Sequence, residues 1–138
     1  MHYNNQLTTI MTTNEQDMRA MNAAMTAGDY EKAGAVRQAW IRHLEKASRT
    51  VDGLGGYKGD YSFQKVVLAG LKNYKQAVAQ DYKQLIAIRK QGARGQQARQ
   101  SELLQTIDHT FIEAEKAIDK AAAVFQAQYE DQTTQSIY

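Results

Sequence analysis

Apolar residues recur along this chain at intervals of three, four and seven, the spacing of one face of a helix, over four stretches separated by glycine. The strongest stretch is residues 101–130. There Leu104, Phe111, Ile118 and Phe125 lie seven apart, and Ile107, Ala114 and Ala121 fill a second seam, with Leu103, Ala117 and Val124 beside it. A stripe this wide has to be covered by more than one partner helix. Upstream, Met11, Met18 and Met25 are spaced by seven, with Leu7, Asn14 and Met21 on the adjoining seam. Tyr30, Ala33, Trp40, Leu44, Ala47 and Val51 give a second inward face, interrupted by Arg37. Phe63, Val67, Leu71, Tyr74, Val78, Leu85 and Ile88 give a third.

The breaks between stretches are equally legible. Gly28-Asp29 supplies a left-handed C-terminal residue followed by an N-cap, a connection so short that the next helix has to turn back on the first. Residues 52–60, DGLGGYKGD, carry glycines at 53, 55, 56 and 59, which end any helix, and Asp60 or Ser62 can cap the one that follows. Gly92 and Gly95 mark the last break. The expected fold is all-α, an up-down-up-down antiparallel four-helix bundle with helices over about 4–27, 29–52, 61–91 and 96–130. It forms one domain over 1–138, with 131–138 as a frayed tail. The last two helices are longer than the first two by roughly two turns, ~10 Å, so the hairpin around Gly92 and Gly95 is expected to project.

Composition strengthens the helical reading. With no proline in 138 residues, the strongest helix breaker is missing, and 43% hydrophobic against 23% charged residues is ordinary for a globular chain. The net charge of +2 falls well short of the excess that marks a nucleic-acid binder, and none is expected as a partner. The lack of cysteine excludes disulfides, thiolate metal sites, thiol catalysis and covalent haem attachment. No apolar run approaches the ~20 residues of a membrane span, so no transmembrane segment is expected.

Each candidate for chemistry has a packing alternative. A ferritin-like di-iron site needs Glu-x-x-His, but Trp40 stands three before His43 and Thr106 three before His109. Met11 and His109 superficially suit non-covalent haem, yet the heptad places His109 farthest from the core, beside Glu102 and Lys116. Met11, Met18 and Met25 are ~10 Å apart along the helix, too far to share one copper(I) ion, and packing is their expected role. The glycines of 52–60 lack the Gly-Lys-Ser/Thr of a phosphate loop, and GDYEKA, which resembles a tetratricopeptide helix start, occurs once. Arg37 and Asp81 fall at matching heights on neighbouring helices and form a possible internal polar pair; a rotation that turned Tyr82 inward would separate them. Arg89, Lys90, Arg94 and Arg99 form a basic hairpin tip that can contact an anionic surface, although no aromatic residues are interleaved for base stacking. Tyr57, Tyr61 and Tyr129 are expected to pack over the glycine-rich end.

Tyr57-Lys58-Gly59-Asp60 opens a helix containing Tyr74-Lys75, and Phe111, Ala117-Ile118-Asp119-Lys120-Ala121, Phe125 and Tyr129 follow. This arrangement resembles an uncharacterised family of small surface lipoproteins and exported helical proteins of Bacteroidetes and spirochaetes such as Leptospira. The resemblance implies a helical bundle located outside the cytoplasm, periplasmic or surface-attached, and carries over no functional residues. Such proteins begin with a signal sequence and a lipid-bearing cysteine, so it also implies that this chain is a trimmed mature form; an untrimmed chain is expected to be cytoplasmic. The function expected is that of a non-catalytic structural or interaction protein of the cell envelope, monomeric or weakly dimeric, without a cofactor, its partner an unknown protein. The alternative is a bundle that binds a small apolar ligand or haem.

Overall fold

The computed structural model describes residues 2–55, 59–92 and 96–130. These residues are helical almost throughout, with no β-strand among them. Helix α1 spans His2–Ala27 and α2 spans Tyr30–Leu54. The third rod is composite: α3, Ser62–Gln76, runs through a π-helical turn, Ala77–Asp81, into α4, Tyr82–Lys90. Helix α5, Gln97–Phe125, ends in a second π-helical turn, Gln126–Glu130. No helix among the described residues is long and apolar enough to cross a membrane. Gly56, Tyr57, Lys58, Arg94, Gly95 and residues 131–138, with the side chain of Tyr129, lie outside what is described.

The turns are built as their residues require. Gly28 takes φ +71°, a conformation that costs a residue with a Cβ, and the Asp29 side chain accepts from the Lys32 amide at 3.1 Å to cap α2. Asp60, rather than Ser62, organises the entry to α3: its Oδ1 accepts from the Ser62 amide at 2.9 Å and from the Ser62 hydroxyl at 2.6 Å. Gln64 is buried, and its amide donates to the Val51 and Asp52 carbonyls at 3.3 and 3.2 Å, satisfying the end of α2 from the start of α3.

The contacts between rods follow a fixed order. From α1 to α2, Asn14 meets Trp40 and Asp17 meets His43. From α2 to the third rod, Val51 meets Gln64, Glu45 meets Lys75 and Arg37 meets Ala79. Between the third rod and α5, Phe63 packs edge-to-face on Phe125 at 4.9 Å, Tyr74 packs on Phe111 at 5.0 Å, and Arg89 bonds Gln100. In the middle of the molecule Trp40, fully buried, lies 5.7 Å from Tyr82 and 5.7 Å from Phe111. Met21, Leu71, Leu85, Ile107 and Ile118 complete the interior around that aromatic layer.

Three seams differ from the heptad reading. On α5, Leu103 is buried and Leu104 is 37% exposed, while Val124 is 57% exposed and Ala117 is also on the surface. A straight helix drifts ~20° per heptad from a strict seven-residue repeat, so a seam centred on Ile107 and Phe125 passes nearer to Leu103 than to Leu104. On the third rod, the wide turn at Ala77–Asp81 accommodates one extra residue. The inward series therefore passes from Tyr74 to Tyr82, eight residues on, and Tyr82 takes the seam position that a regular helix would give to Asp81. On α1, Met21 and Met25 are buried while Met11 and Met18 are only half-buried.

At Gly70 the third rod packs tightly against α5. A Cβ built there would lie 2.7 Å from Ile118 Cδ1 and 3.2 Å from Ile118 Cγ1. Alanine gains about 1 kcal/mol of helix propensity over glycine, but overpacking a filled core costs roughly 1–3 kcal/mol. Gly70→Ala is therefore expected to lower stability by about 1 kcal/mol in a denaturant titration. Combining it with Ile118→Val, which removes the offending Cδ1, should give a favourable coupling of about 1 kcal/mol. Strict additivity of the two substitutions would contradict this packing.

Candidate functional site

Sites can be sought where polar groups meet the interior or line a cleft between rods. The α1–α2 face carries two polar links one turn apart. Asn14, 5% exposed, accepts the Trp40 indole N–H at 2.7 Å, and the Asp17 carboxylate lies 2.7 Å from His43 Nδ1. Asn14, read above as a polar residue on an apolar seam, is thus the acceptor for a buried indole that has left water. A cleft of about 400 Å³ runs beside both links, with Thr9, Thr13 and Thr50 on its walls. Chemically, a carboxylate holding an imidazole fixes its ring orientation. Here it also ties two helices together at the surface.

The expected internal pair, Arg37 and Asp81, is brought to the same π-helical turn but is not joined there. Arg37 Nη1 donates to the Ala79 carbonyl at 3.1 Å. A π-turn displaces carbonyls from the regular i−4 ladder, and the guanidinium supplies a donor at that place. Asp81 is half-buried, and loss of solvent pushes its carboxyl pKa up, an effect that Arg99 partly offsets. It lines a cleft of about 360 Å³ on the other side of the rod with His109 and Glu113. His109 is exposed, on the outer part of α5. No group of three or more His, Cys, Asp or Glu among the described residues is placed to hold a metal ion.

Of the basic tip, Arg89 donates to Gln100 at 3.2 Å, and Arg99 donates to Gln84 at 2.8 Å and lies 3.3 Å from Glu102. Both arginines therefore brace α4 against α5 or pair locally. Lys90 is exposed and lines a cleft with Tyr30, Glu31 and Lys83, so the end of α4 comes level with the first turn of α2. Arg94 lies outside the described residues.

The groove between α1 and α5 was not legible from the sequence. It holds about 420 Å³ and has Leu7, Met11 and Met18 on one wall and Glu115, Ile118, Asp119 and Ala122 on the other. Tyr74, fully buried against Phe111 of α5, has a hydroxyl without a hydrogen-bond partner among the described residues. Burial, and then the charges of Glu115 and Asp119, push its phenol pKa well above the ordinary tyrosine value. The only advance signal was a tyrosine on an apolar seam, whose hydroxyl needs a partner once buried. Comparison with protein-family models, with curated proteins and with solved structures finds no match to this chain.

The two buried phenols set an alkaline limit. Tyr82 is pushed up to about 12, chiefly by burial and then by Asp108, with Arg89 opposing. Tyr74 is raised in the same direction. In the unfolded chain both phenols ionise near pH 10, while the folded protein holds them protonated. Their contribution is therefore fully present below pH 10 and is lost as pH rises from there through 12. Stability in denaturant titrations should fall across that window by up to ~1.4 kcal/mol per pH unit for each phenol. Tyr82→Phe should reduce the slope by one phenol's share, and an unchanged slope would exclude Tyr82 as a source.

Proposed function

We propose that this chain is an up-down-up-down antiparallel four-helix bundle that serves as a non-catalytic interaction protein of the cell envelope. The order of contacts supports the topology. Asn14–Trp40 and Asp17–His43 flank the Gly28 turn, Val51–Gln64 lies near the second turn and Arg37–Ala79 far from it, and Arg89–Gln100 lies near the third and Phe63–Phe125 far from it. Short connections between long rods favour that arrangement.

The observation that carries the functional reading is the filled interior. Trp40, Tyr74, Tyr82 and Phe111 occupy its centre, and the clefts described lie between helices at the surface. A core packed in this way holds shape, and recognition falls to the outside. Tyr61 and Val124, both more than half exposed, stand at the same end of the molecule as a largely apolar cleft lined by Val66, Ala121 and Phe125. Exposed apolar surface of this kind is what a partner protein covers. The placement outside the cytoplasm rests on the resemblance carried by Tyr57-Lys58-Gly59-Asp60 and the α5 stripe.

A second reading is favoured by the α1–α5 groove. Its half-buried Leu7, Met11 and Met18 offer adaptable apolar walls to a small ligand.

The leading reading is tested by placing a photoreactive side chain at Val124 and, as a control, at the exposed Lys116, and crosslinking in intact cells. A discrete adduct at Val124 alone, recovered in the envelope fraction, is the expected result. Equal labelling at both positions, or recovery of the protein in the cytoplasmic fraction, would overturn it.

A further inference from the structure

In the α1–α2 cleft the hydrogen bonds left unmade matter as much as those made. Asn14 is 5% exposed, and its Oδ1 is taken by the Trp40 indole. Its amide nitrogen, with two protons to donate, has no partner among the described residues. Nor is that nitrogen sealed in the core, where the Tyr74 hydroxyl alone is orphaned among the described residues. It therefore opens on a cleft that Asn14 lines. A donor buried to this degree and left without an acceptor is uncommon in folded proteins.

Asn14 borders two clefts, and charge decides between them. An acceptor entering from the α1–α5 side would meet Glu15, Glu115 and Asp119. On the α1–α2 side the wall carries Lys46, exposed and without a partner for its ammonium group among the described residues. The one acid on that wall, Asp17, has its carboxylate engaged by His43 at 2.7 Å. Thr13, half-buried beside Asn14, adds a hydroxyl with no hydrogen-bond partner among the described residues. Ile10, Leu44 and Ala47 form the apolar back of the cleft.

Donors without matching acceptors select an acceptor-rich ligand. A cation would be repelled by Lys46 and could take nothing from the Asn14 amide. A neutral alcohol could satisfy Asn14 or Thr13 but would leave the ammonium group unpaired. A carboxylate only accepts, and its two oxygens have lone pairs for the amide, the hydroxyl and the ammonium group, the last in a charge-assisted bond. A hydrocarbon part would cover the apolar back, and about 400 Å³ is within the range of small-molecule sites.

We propose that the α1–α2 cleft binds a small organic carboxylate, its oxygens held by the Asn14 amide, the Thr13 hydroxyl and Lys46. Its apolar body lies against Ile10, Leu44 and Ala47. This goes beyond both readings above, which concern the Val124 end and the α1–α5 groove, and its failure would leave them standing.

The test is calorimetric titration of the whole chain at low salt with three probes of equal carbon length: hexanoate, hexanol and hexylammonium. The proton resonance of the Trp40 indole, bonded to the same Asn14 side chain, is followed alongside. Hexanoate is expected to bind about tenfold more tightly than hexanol, with hexylammonium weakest. It should also shift the indole resonance, because engaging the Asn14 amide at nitrogen strengthens its oxygen as an acceptor. Lys46→Gln, at an exposed position, should weaken hexanoate roughly fivefold and leave hexanol unchanged. Asn14→Asp keeps an oxygen for the indole but removes the amide donors, and should abolish the preference for hexanoate. Far-ultraviolet circular dichroism would verify its fold; if it does not fold, Lys46→Gln and the indole resonance still decide. Equal affinity for hexanoate and hexanol, or binding of neither, would overturn the proposal. So would hexanoate binding that neither moves the indole resonance nor responds to Lys46→Gln, because the carboxylate would then lie elsewhere.

Discussion

The hydrogen bond from the Trp40 indole to Asn14 is the point from which the rest of the structure can be understood. Trp40 is fully buried, and its N–H would be stranded in an apolar interior without the 2.7 Å acceptor that α1 provides. That bond fixes the rotation of α1 against α2. The indole face then determines what α4 and α5 can present, and Tyr82 and Phe111 close on it at 5.7 Å. Phe111 in turn carries Tyr74, so one aromatic layer joins three rods and the Asn14 bond ties α1 to it. The Asp17–His43 link one turn away repeats the α1–α2 register at the surface, where solvent weakens it.

The π-helical turn at Ala77–Asp81 follows from that layer. A regular helix running on from Tyr74 would present Asp81 to the indole, and a carboxylate there would have to give up its hydration. The extra residue brings Tyr82 in and leaves Asp81 half-buried at the edge. The cost is a distorted backbone turn, whose Ala79 carbonyl accepts from Arg37. Arg37, an awkward charge on the α2 stripe, thus has a structural partner on the neighbouring rod.

Much of the architecture was legible in the chain because it rests on local chemistry. The glycine breaks, the Asp29 cap and the recurrence of Phe111, Ile118 and Phe125 each act within a turn or two, and each is found where the spacing predicts. What was not legible depends on phase between helices. Leu103 and Leu104 exchanged places because a heptad count assumes a supercoil that a straight helix does not keep. Asp81 and Tyr82 exchanged places because an inserted residue leaves no mark in composition. The groove between α1 and α5 was hidden for the same reason: which residues of the two helices share its walls depends on their phase.

Because Trp40 is the chain's one tryptophan, its indole proton can be followed directly. If the Asn14 bond holds the aromatic layer together, hydrogen exchange at Trp40 Nε1 should occur only through global unfolding. Its free energy of opening should equal the whole molecule's stability, and its dependence on denaturant should match the main transition. Rapid exchange, insensitive to denaturant, would show that the indole opens locally and that another contact sets the register of these helices.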